Sequence, residues 1–260
     1  MRLTFLGTGT SFGVPQVGCG CRTCTSTDPR DRRTRASALV ETAGHTLLID
    51  TAPELRLQLI AAGAQRVDAV LYTHAHADHV HGIDDLRALS NRLRGEGLPV
   101  YGPPTALQEI SARFRYIFDG SPARPGTSKP ELRLMPLQAG CEATVEGVAV
   151  LPLELPHGDQ PVFGYRFGAL AYLTDVKSVP TAVREHLRGL DVLVLNALLP
   201  RPHPLHLSIS EAVAAAQEIG ARRTFLTHLT HETSHADLAA TLPDGITPAF
   251  DGLVVEVAAA

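Results

Sequence analysis

The chain has 260 residues, 44% of them hydrophobic, and a formal net charge of −4. That is ample material for a packed core and excludes a disordered chain; the acidic balance also lacks the basic footprint of an extended nucleic-acid binder. No segment approaches the roughly 20 apolar residues that a membrane span requires. The amino end, Met1-Arg2-Leu3-Thr4-Phe5-Leu6-Gly7, reads as a short strand rather than an export signal. A soluble, cytoplasmic protein is the expectation.

In chain order, strand-like runs are predicted at Leu3–Leu6, Ser37–Glu41, Thr46–Asp50, Ala69–Thr73, Val148–Leu155, Gly164–Phe167, Leu170–Asp175, Val192–Asn196, Thr224–Thr227 and Leu253–Val257. Helical patterns fall between them at Glu54–Ala62, Ile83–Leu93, Thr105–Phe114, Thr181–Leu187, Ser210–Ile219 and after Ser234. Ser210 with Glu211 behind it reads as a capped helix start, and Gly220 as its stop. The Pro- and Gly-rich stretches "GEGLPVYGPP" (95–104) and "FDGSPARPGTSKP" (118–130) read as surface segments. Histidine motifs lie on both sides of them, so a single domain over 1–260 is expected.

Two clusters carry the chemistry. Three of the four cysteines, Cys19, Cys21 and Cys24, lie within six positions, while Cys141 stands alone. In a reducing compartment such a loop (about 18–25) points to metal or thiol chemistry rather than to disulfides. Three thiolates at this spacing can share one zinc, and a closed tetrahedral site then needs a fourth ligand from elsewhere. The second cluster is "VLYTHAHADHVHG" (70–82), where His74, His76, Asp78 and His79 follow directly on an apolar strand. Alanines between the ligands permit a tight turn, with a helix expected from about Gly82. Imidazoles and a carboxylate suit zinc, manganese or iron.

The pattern H-x-H-x-D-H after an apolar strand resembles the signature of the metallo-β-lactamase superfamily. That resemblance implies an α/β fold, the four-layer αβ/βα sandwich, and a dinuclear metal site. It assigns His74, His76 and His157 to one metal, Asp78, His79 and His228 to the other, and Asp175 to a bridge between them. Asp50, ending "TLLID", matches the aspartate behind the histidine loop. His157, Asp175 and His228 each follow a strand-like run, which is where such a fold gathers its ligands. His76, where the oxygen-reducing branch carries Glu, and Asp175, where the zinc β-lactamases carry Cys, both imply the hydrolase branch.

The opening "LTFLGTGTSFGVPQVGCGCRTC" is similar to that of the PhnP-type cyclic phosphodiesterases. There a further zinc is held by three such cysteines and by a histidine three residues beyond the last catalytic ligand. His231 in "THLTHE" stands at that spacing from His228. The resemblance also implies a histidine that protonates the leaving group; His206 in "PRPHPLHLSISEA" aligns best, with His203 nearby. Asp78 and His206 are the residues assigned to catalysis.

The function implied is a phosphodiesterase for a small cyclic phosphate, of ribose 1,2-cyclic or 2′,3′-cyclic nucleotide type. A pair of metals about 3.5–4 Å apart can hold an attacking hydroxide and polarise the ester oxygen. Two divalent catalytic metals (manganese or zinc), one structural zinc, a small-molecule substrate and a homodimer follow from the family. Arg113, Arg115 and Tyr116, beside the flexible segment, offer groups for gripping phosphate or a solvated helix face. Competing readings are a ribonuclease Z-like enzyme, a thioesterase or lactonase on the same ligands, and a metal-binding regulatory module that has no catalysis.

Overall fold

The structure is a computed structural model that describes residues 1–93 and 95–258. The strands are β1 (Arg2–Gly7), β2 (Ser37–Thr42), β3 (His45–Ile49), β4 (Ala69–Leu71), β5 (Leu98–Gly102), β6 (Leu132–Pro136), β7 (Ala143–Val145), β8 (Val148–Leu155), β9 (Val162–Phe167), β10 (Leu170–Leu173), β11 (Val192–Asn196), β12 (Arg223–Thr227), β13 (Ile246–Pro248) and β14 (Val254–Glu256). The α-helices are α1 (Leu55–Ala61), α2 (Ala77–Val80), α3 (Arg87–Ser90), α4 (Pro104–Arg113), α5 (Arg115–Phe118), α6 (Thr181–Glu185), α7 (Ile209–Ile219) and α8 (His235–Thr241). Two seven-stranded sheets run in the orders β14-β1-β2-β3-β4-β5-β6 and β13-β12-β11-β10-β9-β8-β7.

Strand periodicity builds the layers, because successive side chains point to opposite faces. In β3, Leu47 and Ile49 enter the core between the sheets, while Leu48 packs outward with Leu55 and Leu59 of α1 and Ile110 of α4. In β11, Val192 and Val194 face the same central core, and Leu193 and Leu195 pack against Ala212 and Ala216 of α7 and Leu238 of α8. Both faces of each sheet are therefore covered, and the central strands read as nearly continuous apolar runs. The result is the expected helix–sheet–sheet–helix sandwich. No helix among the described residues is long and apolar enough to cross a membrane.

Two hydrogen bonds join the sheets beside the histidine loop. The Phe163 amide of β9 donates to the Thr73 carbonyl at 2.9 Å, and the Tyr165 hydroxyl donates to the Tyr72 carbonyl at 2.5 Å.

Several boundaries differ from the sequence reading. Residues 98–102, read as part of a surface segment, form β5, a fully buried inner strand. The helix expected from about Gly82 begins earlier, because α2 already contains Asp78 and His79. The helix expected over Ile83–Leu93 is a short α-turn, α3, flanked by 3₁₀ turns. α7 is capped by Ser208, not Ser210: Glu211 N donates to Ser208 Oγ, and Ser208 N to Glu211 Oε2. That reciprocal pair satisfies two otherwise free amides. Gly220 closes the helix in the left-handed conformation, as read.

One glycine holds the histidine loop down. A Cβ at Gly82 would stand 2.1 Å from the Ala52 carbonyl oxygen and 2.8 Å from Leu55 Cβ. Backbone cannot yield as a side-chain tip can, so Gly82→Ala is expected to destabilise by about 1–3 kcal/mol. Urea unfolding measures this, and an unshifted midpoint would show that the loop has room to move.

Candidate metal centre

The left-handed backbone marks where the chain turns out of its strands into the site. Asp50 after β3, Asp175 after β10 and His228 after β12 have φ of +59°, +60° and +58°. Non-glycine residues there cost about 1–3 kcal/mol each, and such strain is characteristic of functional positions. Asp50 is completely buried; it accepts from the Thr73 amide and hydroxyl, each at 2.8 Å, and lies 2.7 Å from His79 Nδ1. It thereby fixes the His79 ring with Nε2 pointing away from β3, the arrangement in which an outer carboxylate orients a metal ligand.

All seven residues expected at the dinuclear site meet there. His74, His76 and His157 place ligand atoms within 4.8 Å of one another, and so do His74, His79 and Asp175, and Asp78, His79 and His228. His79 Nε2 lies 3.3 Å from Asp175 Oδ2 and 3.4 Å from Asp78 Oδ2, and His228 Nε2 lies 3.1 Å from Asp175 Oδ1. Asp175 also lies within 4.8 Å of the ligand atoms of His74 and of His157, so it reaches both histidine groups. His76 is the exposed member; His74, His79, His157, Asp175 and His228 are buried.

The donor set fits divalent cations. Nε2 of His74, His79 and His228 are buried without a hydrogen-bond partner. Burying one such atom unpaired costs about 1–3 kcal/mol, so several aimed at one space need a compensating group. Charge says the same. Burial would raise Asp175 and Asp78, but His228 and His79 beside Asp175, and His79 and His228 beside Asp78, hold both carboxyls well below the usual range. His79, although buried, is driven well above an ordinary imidazole by Asp175, Asp78 and Asp50, so the carboxylates call for positive charge there, which a divalent cation would supply in place of the ring proton. His74 and His157 are pushed down by burial and stay neutral, as ligands must be.

The second expected site also assembles. His231 Nδ1 lies 3.2 Å from Cys19 Sγ and 3.4 Å from the Sγ atoms of both Cys21 and Cys24. The Cys21 thiol is drawn down to about 6, chiefly by the Cys24 amide donating to its sulfur, while burial pushes Cys24 up to about 11. Three thiols and an imidazole around one point fit a closed zinc site.

His206 stands beside the first centre. Its Nδ1 is 3.7 Å from Asp175 Oδ1, and its ring stacks on His228 with centroids 5.1 Å apart. Burial, reinforced by His228, brings it down to about 3. His203 lines the same cavity but uses Nδ1 to accept from the Leu205 amide at 3.2 Å. That cavity, about 300 Å³, lies between His206, His228 and His231; a second, about 320 Å³, opens at His74, His76 and His157 and carries the acids Glu109 and Asp159.

Of the phosphate-gripping candidates in the α4–α5 segment, Arg115 is exposed, while Arg113 and Tyr116, also exposed, each make a bond within the chain. Arg113 donates from Nη1 to the Ala75 carbonyl at 2.5 Å, and the Tyr116 hydroxyl donates to Asp84 at 2.5 Å. Arg113 therefore braces the histidine loop from behind, a role no motif announces.

Comparison with known proteins agrees with this geometry. The family description "Beta-lactamase superfamily domain" matches residues 45–229. The crystal structure of a diphosphatase from the PhnP family superposes with a TM-score of 0.90 at 39% identity, covering 98% of this chain and 97% of that one. Zn²⁺-bound PqqB from Methylobacterium extorquens shares the fold at 19% identity, with a TM-score of 0.82 over 98% of this chain and 100% of its own. An octanoyltransferase of Porphyromonas gingivalis is 41% identical over 97% of this chain and 51% of its own length. A ribonuclease Z of Bradyrhizobium sp. is 29% identical over 54% of this chain and 46% of its own. The chain spans about half the length of these curated relatives. With its ligand-bearing strands, its Cys–His loop and these likenesses, the chain belongs to the metallo-β-lactamase superfamily, within its PhnP family.

Proposed function

We propose that the protein is a dinuclear metal-dependent phosphodiesterase that opens a small cyclic phosphate of ribose 1,2-cyclic or 2′,3′-cyclic nucleotide type. The observation that carries the reading is His206, an imidazole packed against Asp175 and His228 while lining a separate small cavity. A hydrolase whose leaving group is an alkoxide needs such a proton donor.

His74, His76 and His157 would hold one divalent ion and Asp78, His79 and His228 the other, with Asp175 shared; manganese and zinc both suit these donors. When bound, the ions supply an acidified water and neutralise charge on the phosphoryl group. The chain's own residues do the rest. Asp78, kept ionised, orients the water that adds to phosphorus. As the bond from phosphorus to the leaving oxygen breaks, His206 delivers its proton there. The phosphodiester anion supplies the opposite charge that brings this buried ring into its protonated form.

A second reading rests on the PhnP-family diphosphatase at 39% identity: hydrolysis of a diphosphate bond, whose phosphate leaving group needs no proton donor. Metal-loaded protein assayed on 2′,3′-cyclic nucleotides, glycerol cyclic phosphate, diphosphate diesters, thioesters and lactones separates the readings. Turnover of cyclic phosphates is expected. Turnover of diphosphates with inert cyclic phosphates selects the second reading, and turnover of thioesters or lactones alone overturns both.

Cys19, Cys21, Cys24 and His231 are assigned to a structural zinc. Cys21→Ala is expected to release one zinc equivalent per chain and to lower Tm, by roughly 2–4 °C for each kcal/mol lost. Unchanged zinc content by elemental analysis would remove Cys21 from the zinc site and overturn the four-donor assignment.

A further inference from the structure

We infer that the cavity beyond His206 is a subsite for a planar ring on the leaving-group side of the substrate, and that Phe12 is its stacking face. The inference rests on the proposed role of His206, since that residue marks which side of the phosphorus the leaving oxygen occupies.

The cavity has three kinds of wall. His206 and His228 close the inner end, beside the metal donors. Leu198 and Leu199, both buried, give an apolar flank. The amino-terminal loop supplies Phe12 and Gln16. At about 300 Å³ the space stands at the lower limit for small-molecule sites, large enough for one ring system and too small for a polynucleotide.

Phe12 is 68% exposed, so core packing does not account for it. A lone exposed apolar residue is ordinary; this one differs in its position and its mounting. The Phe12 amide donates to Thr10 Oγ1 at 3.2 Å, and the Gly13 amide to the Thr10 carbonyl at 2.8 Å. Val14 and Arg33 then exchange both backbone hydrogen bonds at 2.8 Å. The ring is thus carried on a tightly bonded turn at the cavity wall, and little ordering is needed when a ligand stacks on it. Arg201 and Glu232, both in the lining, pair with each other at 2.5 Å, so neither presents an uncompensated charge to an uncharged ring. The opposite cavity, with Glu109 and Asp159, offers no aromatic side chain apart from its histidines.

A nucleobase is the chemical class that fits: planar, polar at its edges, and bonded through a sugar to the departing oxygen. Alanine substitution of a stacking aromatic is worth about 1–3 kcal/mol per base, so about tenfold is the expected size of the effect.

The test compares wild type, Phe12→Ala and Phe12→Tyr as metal-loaded full chains. The ratio of kcat/KM for 2′,3′-cyclic AMP to that for glycerol cyclic phosphate should fall about tenfold in Phe12→Ala through KM, and recover in Phe12→Tyr. Calorimetric titration with adenosine 3′-monophosphate, against glycerol phosphate, should show the same loss without any turnover. Equal loss on both ligands, or no loss, overturns the subsite. So does a wild type that binds adenosine 3′-monophosphate no better than glycerol phosphate. A wild type that turns over neither substrate but binds the adenosine ligand through Phe12 refutes the phosphodiesterase reading and upholds the subsite.

Discussion

His206→Ala protein is expected to keep its full metal content and to lose about 10²–10⁴-fold in kcat on substrates with an alkoxide leaving group, the usual worth of a positioned general acid. On bis(p-nitrophenyl) phosphate, whose leaving group departs without a proton, the loss should be far smaller. The contrast is the diagnostic, because a merely structural histidine would slow both. His206 also lies close enough to His157 and Asp175 to join them as a donor, so metal content must be measured on the same samples. Loss of metal in the variant would make His206 a ligand; normal metal with an unchanged rate on the alkyl ester would remove it from the chemistry. An equal but small effect on both esters, together with diphosphate turnover, is the pattern of the second reading.

The largest expected loss of stability lies at Arg33, whose side chain is wholly buried. Its guanidinium donates to the Thr230 carbonyl at 2.5 Å and the Thr233 carbonyl at 3.0 Å, and faces Asp31 Oδ1 at 3.4 Å. Asp31 in turn accepts the His235 amide at 2.6 Å at the start of α8. Burial draws the Arg33 pKa down against the opposing pull of Asp31, Asp251 and Cys24. Arg33→Met would strand a buried carboxylate and two carbonyls. Breaking a buried pair on one side costs about 3–5 kcal/mol, against a typical total stability of about 5–15 kcal/mol, so Tm should fall by roughly 6–20 °C. Because Thr230 and Thr233 bracket His231, the variant should also bind zinc less tightly at the Cys–His site. Thermal unfolding with zinc analysis checks both effects; a shift under about 2 °C would mean that water replaces the guanidinium.

The donors of the main centre were legible because the fold puts them where sequence patterns are clearest. His157, Asp175 and His228 each stand one or two residues beyond the end of a strand, and the H-x-H-x-D-H order leaves little freedom. The Cys–His site needed the family resemblance, since nothing local links Cys19 to a residue 212 positions away. β5 was hidden by composition. Pro99 sits inside it, although proline usually argues against an inner strand. Here pairing with β4 starts only at Val100, so the missing Pro99 donor faces no partner on that side. Ser208 was missed as the α7 cap because Ser210 offered the same chemistry two residues on, and the choice depends on the path of the loop that carries His206. Arg113 was legible as a cation near the site but not as a brace, because its acceptor is a backbone carbonyl and leaves no mark in the sequence.

The two hydrogen bonds that cross from β9 to Thr73 and Tyr72 have a dynamic consequence. His74, His76, Asp78 and His79 come from one sheet, and His157, Asp175 and His228 from the other. Any breathing of the sandwich along this seam must separate the donors and break the Phe163–Thr73 bond together. Ions seated between the sheets would oppose that mode directly and leave fraying at β7 and β14 untouched. The Phe163 amide is therefore a natural reporter: its hydrogen exchange should slow on metal loading by the full coupling free energy, while edge-strand amides exchange as before.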